Sequence, residues 1–215
     1  MALVTFVIPS INRPTLRRTL HSLKLQTDPS WKAIVVYDGV DGSVPAPDPR
    51  VRVFRSKQKL GRNHNHAAYV RNSVMPVVTT PWVAFVDDDD TVMSTYVASL
   101  RQDIQHHPDV QTVIFRMRYA SGIIMPPWHH SMFQRRFVGI SFAIRMDLWR
   151  AHGLAFEPSD CEDCDLLYRI YHLPHRPSML MSSRVAYRVR HAADPACEEG
   201  EGGEGRPEHI IRAPR

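Results

Sequence analysis

Four aspartates in a row, Asp87 to Asp90, follow an apolar run in the stretch VAFVDDDDTV (Val83–Val92). Adjacent carboxylates repel one another, and like charge and desolvation together push their pKa values up. A divalent cation reverses that cost. Hard ions such as Mg²⁺ and Mn²⁺ take oxygen ligands and keep positions open for substrate phosphates. Successive strand residues point to opposite faces, so Asp87 and Asp89 share a side if the strand persists that far, and an Asp-x-Asp pair can hold one metal. The plain structural reading is a solvated turn in which Asp90 caps the next helix.

Other residues with chemical potential are placed by the pattern around them. LVTFVIP (Leu3–Pro9), KAIVVYD (Lys32–Asp38), VRVF (Val51–Phe54) and WVAFV (Trp82–Val86) read as short strands. Between them, Leu16, Leu20 and Leu23 mark one face of a helix opened by Asn12 and Pro14. A second helix is expected over about 66–74, and a third, capped by Ser94, carries Val97, Leu100 and Ile104 on one face. Strands alternating with helices indicate a mostly parallel sheet covered on both faces. Ligands of such sheets sit beyond the carboxyl ends of the strands, where Ser10, Asn12, Asp38 and Asp87–Asp90 fall.

The second half is less regular. QTVIFRM (Gln111–Met117) and GIIM (Gly122–Met125) suggest a hairpin, and PPWHHSMFQRR (Pro126–Arg136) a loop. Residues 144–152 and 162–171 carry helical spacing, and MLMSSRVAYRVRH (Met179–His191) reads as one or two strands. We expect one compact unit over residues 1–195, and a Gly/Glu-rich, flexible tail over 196–215.

The bulk numbers exclude several classes. With 215 residues, 43% hydrophobic and 23% charged, the chain has an ordinary globular balance. No apolar run approaches the roughly 18 residues of a membrane helix. Three cysteines are too few and too odd in number for a disulfide frame, so a cytoplasmic setting is expected. Cys161-x-x-Cys164 is a single pair, which argues against zinc, and His64-Asn65-His66 lacks a nuclease context. The net charge is +5 and the pI about 9.3. The arginines are scattered, so a phosphate-bearing substrate fits better than nucleic acid. No P-loop is present, and no G-x-G-x-x-G follows the first strand.

Five stretches together resemble glycosyltransferase family 2, the nucleotide-sugar transferases of the GT-A fold. VIPSINRP (Val7–Pro14) is similar to the family's V-[IV]-P-x-[YF]-N-R opening, and VVYDGVDG (Val35–Gly42) to its V-D-D-G-S-x-D. LGRNHNHAAYVRN (Leu60–Asn72) resembles the G-x-x-x-A-R-N helix, and VAFVDDDD the metal-binding F-[LV]-D-x-D-D. CEDCDLLYRI (Cys161–Ile170) resembles the late E-D-x-x-L-x-x-R helix. Tyr37, Val40 and Ile11 depart from the pattern, which blurs how the base of the nucleotide is held.

The resemblance implies an α/β GT-A fold: a mostly parallel, Rossmann-like sheet flanked by helices, with a smaller antiparallel acceptor-side part. Residues 1–110 would bind the nucleotide-sugar and 111–195 the acceptor, a glycan or other hydroxyl compound. It implies metal-dependent, inverting transfer of a sugar from a nucleoside diphosphate-sugar, UDP-sugar by default, with Mn²⁺ or Mg²⁺. Pro9, Ser10 and Asn12 would touch the nucleoside, and Asp38 would accept a hydrogen bond from the base. Arg71 would reach the base or diphosphate. Asp87 and Asp88 would meet the donor and Asp89 would be the principal metal ligand, with His191 completing the metal or diphosphate site. Arg135, Arg136, Arg188 and Arg190 are candidates to steady the leaving group. Asp163 would be the general base, its basicity raised by Asp160, Glu162 and Asp165; an acidic first turn of a helix is the bland alternative. From the residues themselves, Trp128, His129 and His130 suit either an acceptor-facing lid, since aromatic faces suit sugar rings, or an ordinary packed loop. The chain is compatible with being one module of a longer protein.

Two competing functions remain at this level. DDDDTV also fits the Asp-x-Asp-x-Thr-Val nucleophile motif of haloacid-dehalogenase-like phosphatases, with Asp87 attacking phosphorus. About eighty residues precede it, however, and no lysine follows Lys59. A non-catalytic domain that binds a nucleotide-sugar is the other.

Overall fold

The computed structural model describes residues 1–44, 48–61, 67–128, 137–189 and 208–211. Its strands are β1 (Val4–Ser10), β2 (Trp31–Tyr37), β3 (Val51–Arg55), β4 (Trp82–Phe85), β5 (Thr91–Val92), β6 (Val110–Tyr119), β7 (Ile124–Met125), β8 (Phe142–Arg145), β9 (Ser178–Val189) and β10 (His209–Ile211). The helices are α1 (Leu16–Lys24), α2 (Ala68–Asn72), α3 (Tyr96–His106), α4 (Met146–Ala151) and α5 (Glu162–Tyr171). One sheet runs β10-β9-β6-β8-β4-β1-β2-β3, with β5 on β9 and β7 on β6.

The first half is wholly parallel: β1 pairs with β2 and β4, and β2 with β3. Every residue of β1 is buried, as expected for a strand covered on both faces. Leu16, Leu20 and Leu23 are buried together on α1. The second half is mixed. Strand β8 lies antiparallel between β4 and β6, β6 runs parallel to β9, and the expected hairpin appears as β6–β7. The result is a mixed α/β fold with a mostly parallel central sheet flanked by helices.

Three local expectations change. The helical pattern over 144–152 begins as strand: Phe142, Ala143 and Ile144 are fully buried in β8, and α4 starts only at Met146. A short apolar run does not distinguish buried strand from buried helix by periodicity. Neither Ser94 nor Asp90 caps a helix, since α3 starts at Tyr96 with Thr95 at its N-cap and no side-chain cap bond. Part of the stretch expected to be a flexible tail is strand β10, antiparallel to β9 with Ile211 buried. Among the described residues no helix is long and apolar enough to cross a membrane.

Candidate active site

The ends of β1, β2 and β4 open into one cleft of about 240 Å³. Pro9, Ser10, Asp38, Arg71, Asp87, Asp88 and Asp89 line it together with Arg13. Asn12 is not on its wall. Its backbone has φ +65°, its N–H donates to Ser10 Oγ at 2.9 Å, and its side chain donates to the Asp41 carbonyl at 3.2 Å. It shapes the turn after β1. Asp38 accepts from the backbone N–H groups of Leu60 and Gly61 at 2.5 and 3.0 Å, which ties the segment after β3 to the cleft. A carboxylate has about four acceptor positions, so capacity for a ligand remains.

Each of the four aspartates meets a different partner. Asp87 Oδ1 accepts from Arg71 Nη2 at 2.6 Å. Asp88 is buried and accepts from Ser10 Oγ at 2.7 Å and Arg13 Nη1 at 3.0 Å. Burial pushes its carboxyl up, opposed by Ser10 and Arg13. Asp89, more exposed, pairs with Arg13 at 3.1 Å. Asp90 is buried and accepts from the Tyr187 hydroxyl at 2.8 Å. The same phenol oxygen accepts the Asp87 N–H at 3.2 Å, and burial first, then Asp90 and Asp87, hold it well above the ordinary phenol range. Tyr187 therefore stays a donor. The Asp90 N–H closes a turn on the Asp87 carbonyl at 3.1 Å, and Thr19 Oγ1 holds the Asp90 carbonyl at 2.7 Å.

The turn aims one carboxylate oxygen each from Asp87, Asp89 and Asp90 to within 4.8 Å of one another. An all-oxygen set of that size suits a hard dication. Asp87 and Asp89 are thus brought together although β4 ends at Phe85; the turn, and not strand alternation, does it. Asp88 faces Ser10 and Arg13, outside that set. His191, with Arg135, Arg136, Arg190, His129 and His130, lies outside the described residues. Arg188 is buried on β9. On the other side of the acidic turn a second cleft of about 460 Å³ is lined by Asp87, Asp89, Asp90, Tyr119, Ala120, Ser121 and Val189.

Arg71 links this turn to α5. It is buried, and its guanidinium lies between Asp87 and Glu162, with which it makes a very close ion pair. Glu162 also accepts the Ala67 N–H at 3.2 Å. Burial draws the guanidinium pKa down, but Asp87 and Glu162 more than offset it and leave Arg71 above its ordinary value. Burial raises Glu162, against the pull of Arg71. It likewise raises Asp163, opposed by the Cys164 N–H and Arg71 and reinforced by Asp87. Asp165 is turned away, accepting from Ser159 Oγ at 2.6 Å. The expected neighbour effect on Asp163 is therefore mainly desolvation.

Arg13 and Tyr187 escape a reading of the sequence. Arg13 offered only a charge within NRP. Tyr187 meets Asp90 across 97 residues, a proximity that β5–β9 pairing creates and no local pattern announces.

A parallel sheet with an acidic turn and cationic side chains at its carboxyl edge defines a class, the GT-A glycosyltransferase fold. The sequence profile described as "Glycosyl transferase family 2" matches residues 5–162, and the chain belongs to that family. The structure of S. aureus TarS 1–349 superposes with TM-score 0.68 at 16% identity, over 87% of this chain and 60% of that one. The same protein in complex with UDP-GlcNAc gives 0.65 at 17% identity, over 92% and 61%. Mannosyltransferase PcManGT from Pyrobaculum calidifontis, in complex with GDP-Man and Mn²⁺, gives 0.60 at 15% identity, over 98% and 56%. The chain thus spans about 60% of the TarS 1–349 length. No curated protein matches the chain. Family membership removes the basis for the aspartyl-phosphate reading, and Asp87, its nucleophile, is engaged by Arg71.

Proposed function

We propose that the chain is a metal-dependent, inverting glycosyltransferase that moves a hexosyl group from a nucleoside diphosphate-sugar to an acceptor hydroxyl. One observation carries the reading: the carboxylate oxygens of Asp87, Asp89 and Asp90 converge within 4.8 Å at the rim of a cleft that also holds Arg13 and Arg71. A diphosphate needs both features, cations along its path and a dication site. UDP-sugar is the first donor to try, since TarS is seen with UDP and UDP-GlcNAc; PcManGT, seen with GDP-Man, makes GDP-sugar the second.

The donor would lie over Pro9 and Ser10, with Asp38 toward the base and Asp87 and Asp88 near ribose and phosphate. Asp89 would be the principal ligand of Mn²⁺ or Mg²⁺, with Asp87 or Asp90 beside it. When bound, the cation supplies Lewis-acid stabilisation of the leaving diphosphate. Arg13 stands where it can add to that, while Arg71 holds Asp87 in place. Asp163, its pKa raised by burial, would take the proton of the attacking hydroxyl. A single displacement with one base inverts the anomeric centre. The second cleft, bounded by Asp89 and Tyr119, gives the acceptor an approach from the opposite side of the acidic turn. A cytoplasmic setting belongs to the same reading, as does the possibility that further domains complete the protein.

The test is release of nucleoside diphosphate from UDP- and GDP-sugars with Mn²⁺ or Mg²⁺ added. Turnover that needs the metal and disappears in Asp89→Ala supports the proposal. Tight nucleotide binding without turnover toward any acceptor assigns a binding domain instead.

A further inference from the structure

Helix α5 starts with Cys161-Glu162-Asp163-Cys164, so two thiols bracket the carboxyl pair just described. Their Cα atoms are 5.3 Å apart, inside the span a disulfide bridges, and the structure joins the two sulfurs. The two differ in access. Cys161, at the N-cap, is half-buried, whereas Cys164 is 1% exposed. Cys164 Sγ also stands 2.8 Å from the Val138 carbonyl, a contact that becomes a hydrogen bond when Cys164 is a thiol. The next residue, Gly139, backs onto the proposed base; a Cβ there would stand 3.5 Å from Asp163 Oδ2.

We propose that Cys161 and Cys164 form a thiol–disulfide exchange site for small disulfides, and that its oxidation slows the reaction that depends on Asp163. The second half rests on the function proposed above; the first does not. The Cys161 thiolate attacks one sulfur of the small disulfide, forms a mixed disulfide and releases one thiol. Cys164 then gives its proton to solvent, attacks the Cys161 sulfur and expels the second thiol. Two protein thiols become one disulfide, and one small disulfide becomes two thiols. The accessible sulfur is the attacking one and the buried sulfur the resolving one. Once bridged, Cys164 has no proton to donate, and the Val138 carbonyl, which precedes Gly139, loses that donor. Glu162, Asp163 and Asp165 of the first turn of α5, with Asp160 before it, repel anions. The site therefore selects a neutral or cationic disulfide.

The experiment uses the full chain carrying Cys197→Ser, so that only two thiols count. Cystamine is the cationic probe and dithiodiglycolate the anionic one. Expected with cystamine is loss of two hydrogen atoms in mass, a Cys161–Cys164 bridge in the non-reduced peptide map, and no retained cysteamine. Cystamine should react about tenfold faster than dithiodiglycolate at low salt, with the gap closing as salt rises. Donor turnover should fall about tenfold, since one hydrogen bond is worth roughly that factor, with nucleotide affinity unchanged, and recover with dithiothreitol. Cys161→Ser should keep turnover and resist the oxidant. A persistent mixed disulfide, or two thiols that survive cystamine, overturns the exchange site. A complete bridge with unchanged turnover overturns its coupling to Asp163. If no condition gives turnover, the glycosyltransfer reading fails, and thiol counting still decides the exchange.

Discussion

Arg71→Met isolates the charge that joins the two halves of the site. The methionine can occupy the position of the guanidinium, which lies 5.2 Å over the Phe156 ring, so packing changes little. The two carboxylates it leaves behind are unequal. The Asp87 side chain is 36% exposed and can rehydrate; that of Glu162 is 6% exposed and cannot. Removing one partner of a buried pair costs about 3–5 kcal/mol, because the other charge stays desolvated. Glu162 can escape part of that by taking a proton. Its folded pKa is already raised by burial, and losing Arg71 raises it further. The folded state then binds one proton more than the unfolded state above the ordinary glutamate value. Stability of the variant must fall as pH rises through that window, by about 1.4 kcal/mol per pH unit. Urea unfolding at several pH values between acid and neutral measures the slope. Arg71→Met/Glu162→Gln removes both charges and should recover much of the loss, with a coupling near the top of the roughly 0.5–3 kcal/mol range for contacting residues. A single-variant loss below about 1 kcal/mol, flat with pH and additive with Glu162→Gln, refutes the reasoning.

Further outcomes follow from the same geometry. Asp163→Asn should lower turnover by about 10²–10⁴-fold, the usual range for a general base, and leave nucleotide affinity unchanged in a titration. The wild-type pH profile should lose activity as pH falls through the raised Asp163 pKa, so its acid limb must lie above that of an ordinary aspartate; a limb at the ordinary position removes Asp163 as the base. Tyr187→Phe leaves the Asp90 carboxylate and the Asp87 N–H without their phenol. It should cost about 1–3 kcal/mol in urea unfolding and weaken the response to Mn²⁺; an unchanged protein shows that the turn holds itself. Ile211→Ala, on the strand found within the expected tail, should cost about 2 kcal/mol, and a negligible loss means that β10 adds nothing to the fold.

The parallel half was legible because β1, β2 and β4 are buried almost throughout and write themselves as apolar runs, each followed by a polar residue. The position of Ser10, Asp38, Asp87 and Asp89 on one cleft followed from that alone. The mixed half was less so. The run holding Phe142, Ala143 and Ile144 reads equally as helix or strand until β4 and β6 are seen on either side. Strand β10 is three residues after a Gly/Glu-rich stretch, and only the edge of β9 gives it a form. At the site, residue type gave the acids but not their partners. Arg71 read as a donor ligand from its motif; that it lies between Asp87 and Glu162 depends on α2 and α5 meeting, which spacing does not encode.

The acidic run is tolerable because its members are treated separately. Asp88 and Asp90 are buried, but each is held by a neutral hydroxyl, Ser10 or Tyr187, and Asp88 also by Arg13. Asp87 shares Arg71 with Glu162. Asp89 pairs with Arg13, itself 46% exposed. An exposed ion pair contributes about 1 kcal/mol or less, so a dication arriving at Asp89 displaces little. Ser10, Tyr187 and Arg71 hold the carboxylates that build the turn, while Asp89, which lines both clefts together with Asp87, pairs with the half-exposed Arg13. That ordering makes a specific demand: Asp88→Asn and Asp90→Asn should be felt chiefly in stability, and Asp89→Asn chiefly in metal-dependent turnover with stability nearly unchanged. Equal losses of stability in all three variants, measured by urea unfolding without added metal, would show that the four acids act as one undifferentiated cluster.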